Sequence, residues 1–278
     1  MRKRIVKIVV CAVVLTTIAV ALKFTYAGQK FLYDTFGGNN LHLILGEKEL
    51  FWFDAWHSND PNDPMFERIE NSFNSFNPDL VLVEGGFNMF EGNRDEAISE
   101  GESSFTVYLA NQNNVTVEDI EPTFAAQIAY LQSRYEPEQI LAMYHIRQIG
   151  SMLNEPVDTD FDFNDYLISE TQYFIDNGLE IEVNSLDEIL EIINSYLPQS
   201  INSETWRTGT GVSDVYNDFF KGKGVLSPIY LDIYNFRNRY LVELIQKRQV
   251  EYNRIFIVMG GQHLIDTKEQ LRELYSVP

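Results

Sequence analysis

Three short apolar runs along this chain each stop at an ionisable residue or a glycine, and a fourth strand-like stretch stops at an acidic residue before proline, with stretches of helical periodicity between them. "ELFWFDAWH" ends at Asp54 and His57, "PDLVLVEGG" at Glu84 and Gly85, "VTVEDIEP" at Glu121, and "RIFIVMGGQH" at His263. Apolar runs of this length, bounded by turn residues, read as buried strands. Between the first two, "MFERIENSFNSF" places Phe66, Ile69, Phe73 and Phe76 at helical spacing, behind a Pro64 suited to a helix N-terminus. Strand, helix and strand in that order have the length of a parallel crossover unit. Continued along the chain, the alternation predicts an α/β fold with a mainly parallel central sheet flanked by helices.

The remaining segments fit this scheme. "HLILG" reads as a strand that turns back through "EK" into the first run. "ESSFTVYLANQNN", "TFAAQIAYLQSRY", "PEQILAMYHIRQIGSML", "YLDIYNFRNRYLVELIQKRQ" and "TKEQLRELYSV" read as helices. After the acidic, irregular "NEPVDTDFDFND", helical patterns resume in "YLISETQYFIDNG" and "SLDEILEIINSYL". They predict a helical insertion over about 156–224, with "TWRTGTGVSD" as a loop within it. Residues 28–278 then form a single α/β domain carrying this insertion.

The N-terminus stands apart. "MRKR" precedes "IVKIVVCAVVLTTIAVAL", broken only by Lys7, and a small residue follows at Ala27. That is the layout of a secretory signal or an uncleaved membrane anchor over residues 1–27, and the run is about long enough to span a bilayer. Basic residues at its head place the rest of the chain outside the cytoplasm, secreted, periplasmic or tethered. The single cysteine, Cys11, lies inside this run. The exported part therefore has no disulfide, and any metal site there draws on histidine, carboxylate or water. Residues 1–27 hold five of the 21 basic residues and no acidic one, leaving 16 against 41 and a formal net charge of −25. Such a surface repels nucleic acid and anionic lipid.

In parallel sheets, ligands sit beyond the carboxyl ends of the strands. If the four runs are parallel neighbours, His57, Glu84, Glu121 and His263 converge on one edge. Two imidazoles with carboxylates suffice to hold a divalent metal with positions open to water. Each residue also has a plainer reading. A histidine after a strand is more often a hydrogen-bonded structural residue, and Glu84 beside two glycines can accept turn N–H groups. Gly260 and Gly261 can serve only to let the chain turn where a side chain would clash. Arg237, on a long helix, is equally at home in solvent or in a salt bridge. His42 and His145 read as structural, Trp52, Phe53 and Trp56 as core, and "NVT" at Asn114 matches a glycosylation sequon.

The chain resembles the TraB/PrgY/GumN and Tiki-like superfamily in four blocks that occur in the family's order between about Glu49 and Leu264. "VMGGQH" carries the closing G-x-x-H pattern, Gly260 to His263. "FWFDAWHSNDPNDPMFERIENSFNSFNPDLVLVEGG" is similar to the first block, where G-x-x-H leads through a helix into P-D-x-V-x-V-E. "VTVEDIEPTFAAQIAYL" resembles the middle block, with Glu121 and Gln127, and "YNFRNRYLVELI" the Arg-Asn helix, with Arg237 and Asn238. One departure is Asp54, which stands where the family has glycine and points to an altered site. The resemblance implies an exported metal-dependent hydrolase, a peptidase acting on peptides or protein termini. His57, His263 and Glu84 are its expected ligands for a divalent transition metal of the Mn, Co or Zn type. Glu84 or Glu121 is the expected general base on the metal-bound water, and Arg237 the expected stabiliser of the oxyanion. Relatives of this fold leave two alternatives: a non-catalytic binder of peptide or porphyrin, and a metal-independent hydrolase of the erythromycin-esterase kind using His and Glu as acid and base.

Overall fold

The computed structural model describes residues 40–85, 92–153, 161–208 and 210–276. The expected signal or anchor segment lies outside them. Among the described residues, no helix is long and apolar enough to cross a membrane.

The chain folds as two compact units. Of the described residues, one unit comprises those up to Glu121 and from Leu241 onward, the other those within Pro122–Tyr240. The first is built on a five-stranded sheet in the order β1-β2-β5-β3-β4. Its strands are β1 (Leu41–Leu45), β2 (Lys48–Ala55), β3 (Leu80–Val83), β4 (Thr116–Asp119) and β5 (Arg254–Gly260). β1 pairs antiparallel with β2, and the other pairings are parallel. The fold is therefore α/β with a mostly parallel mixed sheet. β1 alternates between buried and open positions, as an edge strand does, and returns through Gly46 at φ +63°. β3 is buried at every position and β5 at five consecutive ones, which is why both appear in the sequence as unbroken apolar runs.

Local chemistry sets the first helix. α1 (Pro64–Phe76) begins with Asp63, whose carboxylate accepts from the Met65 N–H, and ends on Asn77 in the left-handed region at φ 52°. Its buried Met65, Phe66, Ile69, Phe73 and Phe76 form one face. With Phe105 from α3 (Glu102–Gln112) they cover Phe53, Ala55, Val81, Val83, Phe256 and Val258 on one side of the sheet. The short α2 (Arg94–Ser99) precedes α3 and adds Ala97 and Ile98 to that cluster. The strand that runs into α1 and the one reached from it are parallel, but they are not neighbours. β5 enters the sheet between them, in an order that strand periodicity leaves open.

Register follows from paired polar groups at the base of the sheet. The Asp79 carboxylate accepts from the N–H groups of Asn253 (3.0 Å) and Arg254 (2.6 Å), and the Asp79 N–H donates to Arg254 O at 3.0 Å. These bonds set β3 level with β5, so that Val83 lies opposite Val258 and Asp119. The Arg248 guanidinium meets the Glu118 carboxylate of β4 at 2.6 Å.

The second unit is helical, with α4 (Phe124–Gln132), α5 (Pro137–Met152), α6 (Phe163–Asp176), α7 (Leu186–Asn194), α8 (Thr210–Phe220) and the first part of α9 (Ser227–Arg248). Its core is separate and centres on α5, where Ile140 to Ile146 are buried in succession. The segment "TWRTGTGVSD", read as a loop, instead contains a short 3-10 turn at Trp206–Thr208 and the start of α8. Its glycines and threonines suggest a turn, but Trp206, Val212 and Phe219 bury into the helical core and carry the helix with them.

Candidate functional site

The carboxyl ends of β2, β5, β3 and β4 lie side by side, as the strand-end argument requires. Ala55 pairs with Gly260, and Val83 with both Val258 and Asp119. His57 follows β2 by two residues, Glu84 follows β3 directly, Glu121 follows β4 by two, and His263 lies three beyond Gly260. All four belong to the same edge. Ile120 N donates to Val83 O at 3.0 Å, and the Glu121 N–H donates to the Asp119 carboxylate at 2.8 Å, so the end of β4 is tied back to β3.

The chain leaves β2 and β5 on opposite faces. Phe53 and Ala55 belong to the α1 side, so Trp52 and Asp54 project to the other. There the Asp54 carboxylate lies against Gly261, the first residue of α10 (Gly261–Leu274). A parallel sheet opens a crevice where adjacent strands send their connections to opposite faces. His57 and His263 sit in the two connections that flank this one.

His57 is held by a residue that the strand-end argument did not name. Its Nδ1 lies 2.6 Å from Oε1 of Glu102, while the ring is 82% exposed and the Glu102 side chain only 10%. Gly101, at φ +98°, starts α3 beside the carbonyl of Ser58. Glu102 thus becomes the first helical residue and brings its charge to the positive end of the helix. An ionised carboxylate only accepts, so His57 donates from Nδ1 and the lone pair of the neutral ring belongs to Nε2. A pair this exposed contributes at most about 1 kcal/mol to stability. Its consequence is a fixed ring orientation. An acidic residue just after a glycine at a helix start was the available signal, but its pairing with His57 depends on how α3 docks.

His263 is 8% exposed and lies in the first turn of α10, not in a loop after the strand. The helix starts at Gly261 and absorbs the glycine–histidine segment, because Leu264, Thr267 and Leu271 supply a buried face at helical spacing. The two glycines also divide their roles, where both could have served to avoid a side-chain clash in a turn. A Cβ on Gly260 would meet nothing within 4 Å, whereas one on Gly261 would come within 2.7 Å of the Asp54 Cγ. Asp54 itself occupies ordinary strand backbone, so the residue standing in place of a glycine takes no glycine-only conformation. Its carboxylate supplies negative charge at the start of a helix whose cap residue, Gly260, provides no side-chain bond.

Glu84 is half-buried and is followed by Gly85 at φ +87°, a conformation that favours glycine. Oε1 of Glu121 is shielded from solvent. Among the described residues, no three His, Cys, Asp or Glu side chains group as a metal-ligand set. His57, His263 and Glu84 thus share an edge without forming a three-donor cluster. Arg237 belongs to the helical unit, on α9. So does His145, whose Nε2 lies 2.9 Å from the Thr171 hydroxyl; complete burial lowers its pKa to about 3. That histidine is neutral and structural at ordinary pH.

No family model, curated protein or solved structure matches this chain. The class it can be given is the one its fold and edge define. It is an α/β protein with a mostly parallel sheet, a separate helical unit, and an oriented histidine among carboxylates at the carboxyl edge.

Proposed function

We propose that the chain is an extracytoplasmic hydrolase of the Tiki-like kind, with peptides as its substrate class and His57 as its working imidazole. The observation that carries this reading is the 2.6 Å pairing of an exposed His57 ring with a buried Glu102 carboxylate. Glu102 holds Nδ1–H and leaves basicity at Nε2. From there His57 takes a proton from water attacking a carbonyl carbon and returns it to the departing amine or alkoxide. Glu102 steadies the imidazolium formed between those steps, the role a buried carboxylate plays behind a catalytic histidine. Glu84 and Glu121 stand on the same edge of the sheet, after β3 and β4.

The same arrangement, a histidine fixed by a carboxylate through one nitrogen, is how metal-binding histidines are oriented. A divalent transition metal would supply Lewis-acid activation of water, with His57, His263 and Glu84 as its donors. Among the described residues these three do not group as a donor set. The reaction is accordingly written through His57 and Glu102.

The test is hydrolysis of a fluorogenic peptide library by the purified protein, with and without a chelator. His57→Ala should lower kcat/KM by about 10²-fold or more while changing stability by less than about 1 kcal/mol. Glu102→Gln keeps the shape, loses the charge, and should lower kcat more than it raises KM. Undiminished cleavage by His57→Ala would sink the proposal. Loss of activity with chelator, restored by Mn, Co or Zn, would assign the metal-dependent form of the reaction.

A further inference from the structure

Three helices of the helical unit line a small, partly open cavity of ≈ 30 Å³. α5 contributes Tyr144 and Arg147, three residues apart. α9 contributes Tyr230, Tyr234 and Arg237 at helical spacing, and α4 contributes Gln127. Water needs roughly 10–15 Å³ measured this way, so the space holds about two water-sized groups. Its lining carries two guanidinium groups and three phenols, and no Asp or Glu among the described residues. In a chain with a formal net charge of −20, that is a local inversion of sign.

The wall also holds an unmet donor. Tyr144 is 8% exposed, and its hydroxyl is shielded from solvent with no hydrogen-bond partner among the described residues. Leaving a buried hydroxyl unpaired costs stability, and most native ones find a partner. Burial raises the pKa of both Tyr144 and Tyr230, so each phenol keeps its proton and donates at neutral pH. Cavities that remain as packing faults are apolar and dry. This one is polar and cationic, and its Tyr144 hydroxyl has no acceptor among the described residues.

We propose that this cavity is a binding site for a carboxylate, held between Arg147 and Arg237 with the Tyr144 hydroxyl donating to one oxygen. A carboxylate is planar, matches the guanidinium fork, and fills the space of two water-sized atoms. It also carries one negative charge, so the repulsion of a strongly acidic protein falls on it half as heavily as on a phosphate dianion. Free small acids and peptide C-termini share this chemistry. The site needs no reaction and shares only Arg237 with the expected catalytic set, so it stands or falls apart from the hydrolysis test.

Calorimetric titration of the purified full chain tests it, with acetate, N-acetyl-Ala-Ala, the C-terminal amide of that dipeptide, and inorganic phosphate as probes. The expected result is saturable binding of a carboxylate, with the amide at least 10-fold weaker than the acid. Arg147→Gln should weaken the acid at least 10-fold. Tyr144→Phe should weaken it several-fold while leaving the Tm unchanged or raised, since it deletes an unpaired buried hydroxyl. Equal affinity for acetate and the dipeptide assigns a small free acid, and preference for the dipeptide assigns a C-terminus. Absence of saturable binding, equal affinity for acid and amide, tighter binding of phosphate, or an Arg147→Gln protein that binds as before overturns the proposal. The acid-against-amide comparison uses the unaltered protein, so it holds even if a variant fails to fold.

Discussion

Acid should loosen the helical unit through a single residue, His145. Its ring is wholly buried on α5, its Nε2 meets only the Thr171 hydroxyl, and the aromatic rings of Tyr166 and Phe174 lie beside it at 6.4 and 5.2 Å. No carboxylate is bonded to it among the described residues, and burial lowers its pKa from 6.5 to about 3. The unfolded chain therefore binds a proton between these values that the folded chain does not. Stability rises with pH wherever the unfolded state holds more protons. The contribution is fully present above about pH 6.5 and is lost as pH falls toward 3. At pH 5 the unfolded histidine is about 97% protonated, which costs the fold about 2 kcal/mol, rising to about 5 kcal/mol below pH 3. The excess of carboxylates acts in the opposite sense, because acidification relieves the self-repulsion of a chain with net charge −20. The measurement must therefore be a difference. Urea unfolding at pH 7 and pH 5, followed by Trp206 fluorescence with Trp52 and Trp56 replaced by Phe, is compared with the same protein bearing His145→Leu. The released Thr171 hydroxyl can bond back along its own helix. The His145 protein should lose about 2 kcal/mol more between the two pH values than the Leu variant. Equal losses, or a greater loss in the variant, would refute the argument that this ring is held neutral by burial.

Two further outcomes test the glycines at the sheet edge. Gly261→Ala should destabilise by about 1–3 kcal/mol, because its Cβ would press on the Asp54 carboxylate, whereas Gly260→Ala, at φ −58° with open space around it, should change little. In a double-mutant cycle Asp54→Ala should recover much of the Gly261→Ala loss, and strict additivity would contradict the contact. Gly85→Ala should cost about 1–2 kcal/mol from backbone strain alone, since φ is +87° and no atom lies within 4 Å of the added Cβ. A smaller effect in urea unfolding would show that the turn after Glu84 can relax.

Some of this was legible in the chain, because strands and helices are written in short-range periodicity and caps. "SNDPNDP" ahead of Phe66, with Asp63 as cap and Pro64 in the first turn, fixes α1 locally. The apolar runs leading to Glu84 and His263 announce buried parallel strands, since a strand buried on both faces must be apolar throughout, and the stretches leading to His57 and Glu121 are legible as strands from their place in the alternation. Periodicity could not show that β5 enters between β2 and β3, because neighbour choice in a sheet depends on contacts far apart in sequence. Nor could it reveal the partner of His57. Glu102 reaches it only because Gly101 starts α3 beside Ser58. "GGQH" reads in the sequence as a glycine turn that ends a strand at a histidine. The tertiary structure makes it the first turn of a helix, with Gly260 unconstrained and Gly261 kept bare by the Asp54 carboxylate of a neighbouring strand. The carboxylate-sized cavity was equally hidden, since Tyr144, Arg147 and Arg237 meet only once α5 and α9 pack. Local sequence determined most of the elements, the starts of α8 and α10 excepted, and which of their ends carry ionisable groups. Packing between distant segments decided which of those groups touch, because burial and pairing are properties of the assembled fold.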